Sequence, residues 1–542
     1  MYVAPAHGHL SFIVFGLELF NTAFRRSRFN LHDNQILARL EPFVVLIGNT
    51  LYVESEAVLI AGLKAASAIL QCPVKTAPSS APLISKQILS IIRSMGSAES
   101  EIAQTALKSL AVILRDCPTS NVKENDLLFL LELLAPDLED PSRQDSAFTL
   151  LRAIVSRKLV VPELYDLMTT VSSILITSQS AHTRESARSL LLQFLLDYPQ
   201  GSGRLQTTLT FFARNLSFDH ASGRLSVMEL LHAVVTKFER NLLAKHAEML
   251  FVALVLCIAN DDEKACRESA ANIVQALVKR LADDQQTNVI GHLHTWAVQT
   301  EKTRLRGVAV QVYGLFIEAL QRDAGPHVDV ILADTQAVAE AASVVFVDDG
   351  VDDLENPVDW QAAYQALQTL VKVLHIYPEL TTDYSKMKWL HVVALLLFPH
   401  AWVRSAACRL LGSLFAVTQS SAQTMTAVEG SPLTHAAMRD IADKLCTMLK
   451  SSNMEAPAAL QIVKNLFFVG KWFIAHPQES RITEGSDGEV VSEGDDAESE
   501  VRDGRGSDQL PWLFSKLSFQ ARSAHITRRN TTTAEVSTVY LL

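Results

Sequence analysis

The sequence contains little glycine, proline and cysteine. Of its 542 residues, 21 are Gly, 18 are Pro and 6 are Cys. This composition excludes a collagen-like or low-complexity chain, and the 48% hydrophobic content excludes a wholly disordered one. The six cysteines are scattered and include no CxxC pair, so we expect reduced, mostly buried thiols and a reducing compartment rather than a disulfide framework.

Positive charge and long apolar runs are also scarce. Lys and Arg number 48 against 59 Asp and Glu, and the net charge of −11 argues against a free-standing nucleic-acid binder that works by net basic charge. The runs Leu10–Phe20 and Met249–Ala259 are too short to span a membrane, and the first contains Glu18 and lacks the basic lead-in of a signal peptide. We therefore expect a soluble, intracellular protein that does not contact a membrane.

Motifs for catalysis and metal binding are absent as well. The sequence has no GxxxxGK[ST], GxGxxG, HExxH or GxSxG pattern. Two His-x-His pairs occur, His7/His9 and His292/His294, but residues two apart point to different faces of a helix and no further ligands lie near them. We expect no catalytic, cofactor-binding or metal-binding residue, no cofactor, no small-molecule substrate and hence no enzyme.

Helical periodicity dominates what is present. The run Val403, Ala406, Ala407, Leu410, Leu411 and Leu414 follows i, i+3, i+4, i+7, i+8, i+11, which places all six side chains on one helix face. Strand-like alternation with hairpin turns is not sustained anywhere. The sequence therefore predicts an all-α chain.

The helical pattern repeats. Arginines recur at spacings of 39 to 43 residues, at Arg143, Arg184, Arg224, Arg267 and Arg306, and Arg404 follows after room for one more repeat and an insertion. Upstream, Ala65, Ala106 and Ala147 recur every 41 residues. A period of about 40–47 residues with two helices per unit is typical of HEAT and armadillo repeats, so we predict an α-solenoid. The arginines could form a positive ridge for RNA or an acidic partner, but their regular position favours a structural role within each repeat.

Breaks in composition divide the chain. Ser486 and Ser492 each precede a carboxylate at the third following position, the pattern of an acidophilic kinase site, and are possible phosphorylation sites. The basic clusters Phe24–Arg28 and Arg528–Arg529 are small, as on an ordinary solvated surface. The predicted organisation is a HEAT-like array over 1–346, an acidic loop over 347–359, further repeats over 360–478 with a flexible insertion at 419–435, an acidic disordered linker over 479–510, a short amphipathic helix over 511–522 and a disordered tail over 523–542.

Several segments resemble one family in their order along the chain. The densest is Ser142–Gly201, which runs from SRQDSAFTLLRAIVSRKL to LLDYP, and the others are Leu40–Phe43, His400–Leu411, Val463–Phe468 and Trp512–Ser518. They resemble the U3 small nucleolar RNA-associated protein 20 family, very large HEAT-repeat proteins of the small-subunit processome. The resemblance covers about residues 10–522, and we expect an internal-to-C-terminal part of such a protein.

The resemblance implies a non-catalytic scaffold in ribosome biogenesis that supports 18S rRNA maturation in the nucleolus of the nucleus. Its implied partners are processome proteins and pre-ribosomal RNA with the U3 ribonucleoprotein, in a large assembly. Acidic HEAT arrays also serve as nuclear-transport receptors and as scaffold subunits of other complexes, such as those of phosphatases or kinases. The ordered family-like segments favour the first interpretation.

Overall fold

The computed structural model describes residues 9–95, 100–120, 122–348, 360–420, 431–449, 456–476 and 511–518. Every regular element within these ranges is a helix, and none of them contains a strand, which confirms the predicted all-α, HEAT/armadillo-like solenoid fold. Most of the acidic loop, residues 421–430 of the insertion, the acidic linker with Ser486 and Ser492, and the tail lie outside the described residues.

The described ranges up to residue 476 contain 22 α-helices. Their bounds are α1 Leu10–Arg25, α2 Asn34–Thr50, α3 Glu56–Gln71, α4 Ala77–Met95, α5 Glu101–Asp116, α6 Glu124–Glu139, α7 Gln144–Ser156, α8 Pro162–Thr177, α9 Ala181–Asp197, α10 Gly201–Arg214, α11 Ala221–Lys237, α12 Arg240–Ala244, α13 Ala247–Asn260, α14 Lys264–Val278, α15 Asp283–Ala297, α16 Thr303–Leu320, α17 Val328–Asp348, α18 Trp360–Ile376, α19 Trp389–Ala394, α20 Ala401–Ser420, α21 His435–Met448 and α22 Ala456–Ala475. Residues 511–518 are also helical, and short 3-10 turns follow α10, α16, α18 and α19.

The helices fall into two compact units, one drawn from Met1–Cys257 with Asp261–Ile273 and the other from Ile258–Asn260 with Val274–Leu542. In the first unit, α1, α3, α5, α7, α9 and α11 pack side by side in one layer, and α2, α4, α6 and α8 lie in the second layer. In the second unit, α16, α18, α20 and α22 form one layer, while α15, α17 and α19 form the other. Each unit thus repeats the two-helix element that the sequence period predicts.

Small side chains let neighbouring repeats approach closely in the first layer. Ala65, Ala106 and Ala147 are fully buried on α3, α5 and α7. A Cβ atom added to Gly223 would lie 2.4 Å from the carbonyl oxygen of Ile176, so α11 can pack against the end of α8 only with glycine there. The close approach brings apolar side chains of successive helices into one continuous core.

Helix α22 differs from the other described helices because it alone is long and apolar enough to cross a membrane. It packs on α20 and α21, and 44% of its apolar window is buried in the protein. The same composition is usual for a core helix of a repeat array. The helical segment 511–518 adds to this packing, since Leu513 is 3% exposed and its side chain lies near Gly470.

Candidate interaction surfaces

Four of the recurring arginines make the same contact. Each is the fourth residue of its helix and donates through Nη1 to two backbone carbonyl groups, six and five residues earlier. The donor–acceptor distances are 2.8 and 3.1 Å for Arg184, 2.9 and 3.1 Å for Arg224, 2.7 and 2.9 Å for Arg267, and 2.9 and 2.6 Å for Arg404. Carbonyl groups at a helix end lack intrahelical partners and carry partial negative charge. The guanidinium groups therefore supply hydrogen bonds to the backbone carbonyl groups at the corner between two successive helices.

The other two anchors deviate from this pattern. Arg306 is also the fourth residue of its helix, but its Nε donates to the carbonyl of Ala297 at 3.0 Å. Arg143 precedes α7 and pairs with two carboxylates, Asp137 at 3.3 Å and Asp140 at 3.1 Å. Arg143 thus lies before its helix and not at the fourth helical position, although its spacing from Arg184 in the sequence fits the series. The contacts of the whole series agree with the structural interpretation of these arginines.

Arg224 also joins consecutive repeats. Its Nε and Nη2 donate to the two carboxylate oxygens of Asp261 at 2.8 and 2.7 Å, and Nη2 reaches Asp262 at 2.9 Å. The Arg224 and Asp261 side chains are only 9% and 3% exposed. Burial acts to raise the pKa of Asp261, but hydrogen bonds from Arg224 and from the backbone N–H of Glu263 hold that pKa below its ordinary value. A buried, ionised pair therefore links α11 to the turn before α14.

His9 is exposed at the start of α1, and His292 and His294 make separate contacts. His294 Nδ1 lies 2.9 Å from Asp334, whose buried carboxylate also accepts a hydrogen bond from Tyr313 Oη at 2.7 Å. The His292 ring stacks near Trp296 with centroids 6.3 Å apart. His7 lies outside the described residues, and within those residues no three His, Cys, Asp or Glu side chains form a group able to hold a metal ion.

All six cysteines lie in the described part of the chain, where each is buried and none forms a disulfide. Burial raises the pKa of the Cys72 thiol to about 11 and that of the Cys408 thiol to about 12. A nucleophilic thiol requires the opposite shift, because the thiolate is the reactive form. These cysteines are therefore packing residues.

A partly exposed aromatic cluster lies at the start of α18 and α20. The rings of Trp360 and His400 stack with centroids 3.9 Å apart and an interplanar angle of 4°. Trp402 meets Trp360 edge-on at 5.4 Å and is 58% exposed, and Tyr364 lies 6.0 Å from Trp402. Exposed tryptophan in a group of rings is typical of interaction surfaces.

A groove of about 480 Å³ lies between α20 and α22; we call it the α20–α22 groove. Its basic side chains are Arg409, Lys464 and Lys471, and its aromatic lining includes Phe467, which is 47% exposed. No carboxylate residue lines it within the described chain. This groove was not predicted from the sequence, although the spacing of Lys464, Phe467 and Lys471 at i, i+3 and i+7 places them on one face of α22.

Comparison with known proteins places the chain beside two curated fungal proteins. U3 small nucleolar RNA-associated protein 20 of Schizosaccharomyces pombe is 32% identical over 453 residues, which are 82% of this chain and 18% of the relative. The Saccharomyces cerevisiae protein of the same name is 29% identical over 411 residues, 74% of this chain and 16% of the relative. The chain thus spans less than a fifth of each relative's length. No protein-family model matches the sequence.

Solved structures with a similar arrangement include a karyopherin and importin beta. The karyopherin Kap121p bound to the SUMO protease Ulp1p aligns with a TM-score of 0.48 and 14% identity over 86% of this chain and 50% of the karyopherin. Importin beta aligns with a TM-score of 0.37 and 12% identity over 92% of this chain and 56% of importin beta. Likeness at this level does not bear on function.

Proposed function

Because the chain belongs to the U3 small nucleolar RNA-associated protein 20 family, we propose that it acts in ribosome biogenesis as part of the small-subunit processome. The observation that carries the proposal is the 32% identity over 453 residues to the Schizosaccharomyces pombe relative. An alignment over 82% of the chain spans most of its helices, so the shared feature is the repeat array itself and not one motif.

The proposed role is that of a non-catalytic scaffold that supports 18S rRNA maturation in the nucleolus. An extended array of helices offers long surfaces for proteins and RNA, and the contacts of the arginine series support this role because they maintain the repeats. Its proposed partners are processome proteins and pre-ribosomal RNA with the U3 ribonucleoprotein.

The experiment is affinity purification of the tagged chain from cells, with sequencing of bound RNA and identification of bound proteins. We expect enrichment of U3 snoRNA, 18S precursors and processome proteins over an unrelated helical-repeat control. Recovery of a small GTPase with diverse cargo would instead support a transport receptor. Recovery of a phosphatase or kinase without these RNAs would support a scaffold subunit of another complex.

A further inference from the structure

We propose that the α20–α22 groove binds a segment of single-stranded RNA; this inference rests on the proposed function and assigns RNA contact to one surface. Arg409 on α20 and Lys464 and Lys471 on α22 are exposed and line the same groove. None of the three forms an ion pair with any residue in the described part of the chain. Three unneutralised cations along one groove fit a series of phosphates.

An aromatic face adjoins these cations. Phe467 is 47% exposed, and the ammonium nitrogen of Lys471 lies 4.6 Å from the centre of its ring. Behind it, the rings of Phe415 and Phe468 stack with centroids 4.2 Å apart and are buried, so this wall of the groove is firmly packed. An exposed ring beside cations is the arrangement on which bases of single strands stack while their phosphates pair with the cations.

The floor of the groove is polar and fixed. Gln461 Nε2 donates to Asn465 Oδ1 at 3.0 Å, and the buried Asn465 donates to the backbone carbonyl of Cys408 at 2.9 Å. A Cβ atom on Gly412 would lie 2.3 Å from Gln461 Nε2, so glycine is needed to keep Gln461 in this position. Gln461 is partly exposed, and its Oε1 makes no hydrogen bond within the described residues, so this oxygen is available to accept one from a base edge.

An acidic peptide would also pair with the three cations, and the chain itself contains the acidic stretch Arg481–Asp508. The exposed Phe467 ring favours RNA, because a base stacks on such a ring, whereas the acidic stretch contains no aromatic side chain. The peptide is therefore the competing outcome in the test and not part of the proposal.

The test measures fluorescence anisotropy of labelled single-stranded oligouridylate titrated with the full chain over a series of salt concentrations. The variant R409E/K464E/K471E is expected to weaken binding at least tenfold and to lower the log–log salt slope by about 2, since each single-strand phosphate contact adds about 0.7. F467A is expected to weaken binding by about five- to hundredfold at constant salt slope.

The matched control is K279E/K302E/K388E, which makes the same charge change at three exposed lysines outside the groove. It should bind oligouridylate much more tightly than the groove variant does, and R409K/K464R/K471R should retain binding. Thermal unfolding of each variant checks that it is folded. If the charge-reversal variant does not fold, F467A still tests the groove, because it changes only an exposed ring.

Equal oligouridylate affinity in the groove and control variants overturns the proposal. So does binding of a peptide of residues 481–508, lost in the groove variant, without binding of oligouridylate. Purification from cells distinguishes failure of the RNA-binding proposal from failure of the proposed function. If the groove variant still recovers processome proteins while wild-type chain fails to bind oligouridylate, the RNA assignment is wrong and the proposed function stands.

Discussion

Arg224 and Asp261 belong to consecutive repeats and form a two-point ion pair with donor–acceptor distances of 2.8 and 2.7 Å. Both side chains are at least nine-tenths buried, so removal of one charge leaves the other without compensation. R224A is expected to lower the free energy of unfolding by about 3–5 kcal/mol. Chemical denaturation followed by circular dichroism measures this change.

R224K provides the control, since lysine retains the charge but cannot make the two-point contact, and its stability should lie between those of wild type and R224A. The pKa of Asp261 is held below its ordinary value, so its contribution is present above about pH 4 and is lost as the pH falls further. D261N should remove that acid-dependent part. An R224A protein as stable as wild type would contradict the argument.

Gly223 should not tolerate a larger residue. In G223A the new methyl group would lie 2.4 Å from the Ile176 carbonyl oxygen and 2.7 Å from Cδ1 of Phe218. We expect a loss of about 1–3 kcal/mol from overpacking. Gly203 is the matched position, because nothing lies within 4 Å of its added Cβ, and G203A should be neutral or stabilising by up to about 1 kcal/mol. The melting temperature of G223A should fall, whereas that of G203A should stay the same or rise.

The buried thiols should be inert in the folded chain. Cys72 and Cys408 hold their protons to a pKa of about 11 and about 12, whereas an unfolded thiol titrates near about 8.5. A colorimetric thiol reagent at neutral pH should therefore modify the cysteines of the native chain slowly. In denaturant it should modify all six cysteines rapidly. Because the unfolded chain loses these protons first, stability should also decline as the pH rises above about 8.5. Rapid modification of native Cys72 would show that the site is open.

Helix α1 presents an apolar face. Phe12, Phe15 and Leu19, spaced at i, i+3 and i+7, are 73%, 68% and 60% exposed. Such a face favours association between copies of the chain. We expect light scattering to show self-association of wild type that increases with concentration, and F12S/F15S/L19S to reduce it.

The control for this prediction changes scattered apolar residues of the same unit. Leu83 on α4, Leu196 on α9 and Val160 in the connection before α8 are also exposed but form no common face, so L83S/V160S/L196S should leave self-association unchanged. A monodisperse wild-type monomer at high concentration would contradict the prediction.

Ser486 and Ser492 remain proposed modification sites on the basis of sequence. An acidophilic kinase is expected to phosphorylate both, because each has a carboxylate three residues later. Mass spectrometry of the treated chain locates the phosphates, and S486A/S492A should lose them. Phosphorylation found only at other serines would contradict the assignment of Ser486 and Ser492 as kinase sites.

The repeat architecture could be predicted because it depends on recurrent local patterns. Ala65, Ala106 and Ala147 recur at the repeat period, and the structure buries all three where neighbouring helices pack. The alternation of helices between two layers follows from that period, since each pair buries its apolar face only against the next pair.

The partners of the arginines and the α20–α22 groove could not be predicted. Arg184 and Arg404 contact backbone carbonyl groups. Every residue type has such a group, so the amino-acid sequence does not indicate which one accepts the hydrogen bond. Arg409 meets Lys464 only through the packing of α20 on α22, which a single sequence does not specify. The length and apolar content of α22 were not predicted either. Lys464 and Lys471 interrupt the run of apolar residues in the sequence, but both lie on the exposed face of the helix.

The paired carbonyl contact of these arginines also depends on corner length. It occurs in α9, α11, α14 and α20, and in each case three residues separate the helix from the preceding helix or 3-10 turn. Five residues separate α16 from α15, and Arg306 donates there to the carbonyl of Ala297, nine residues earlier. The guanidinium reaches both acceptors because a three-residue corner places them five and six residues before the arginine. An insertion into one of these four corners is therefore expected to remove both hydrogen bonds of its arginine at once.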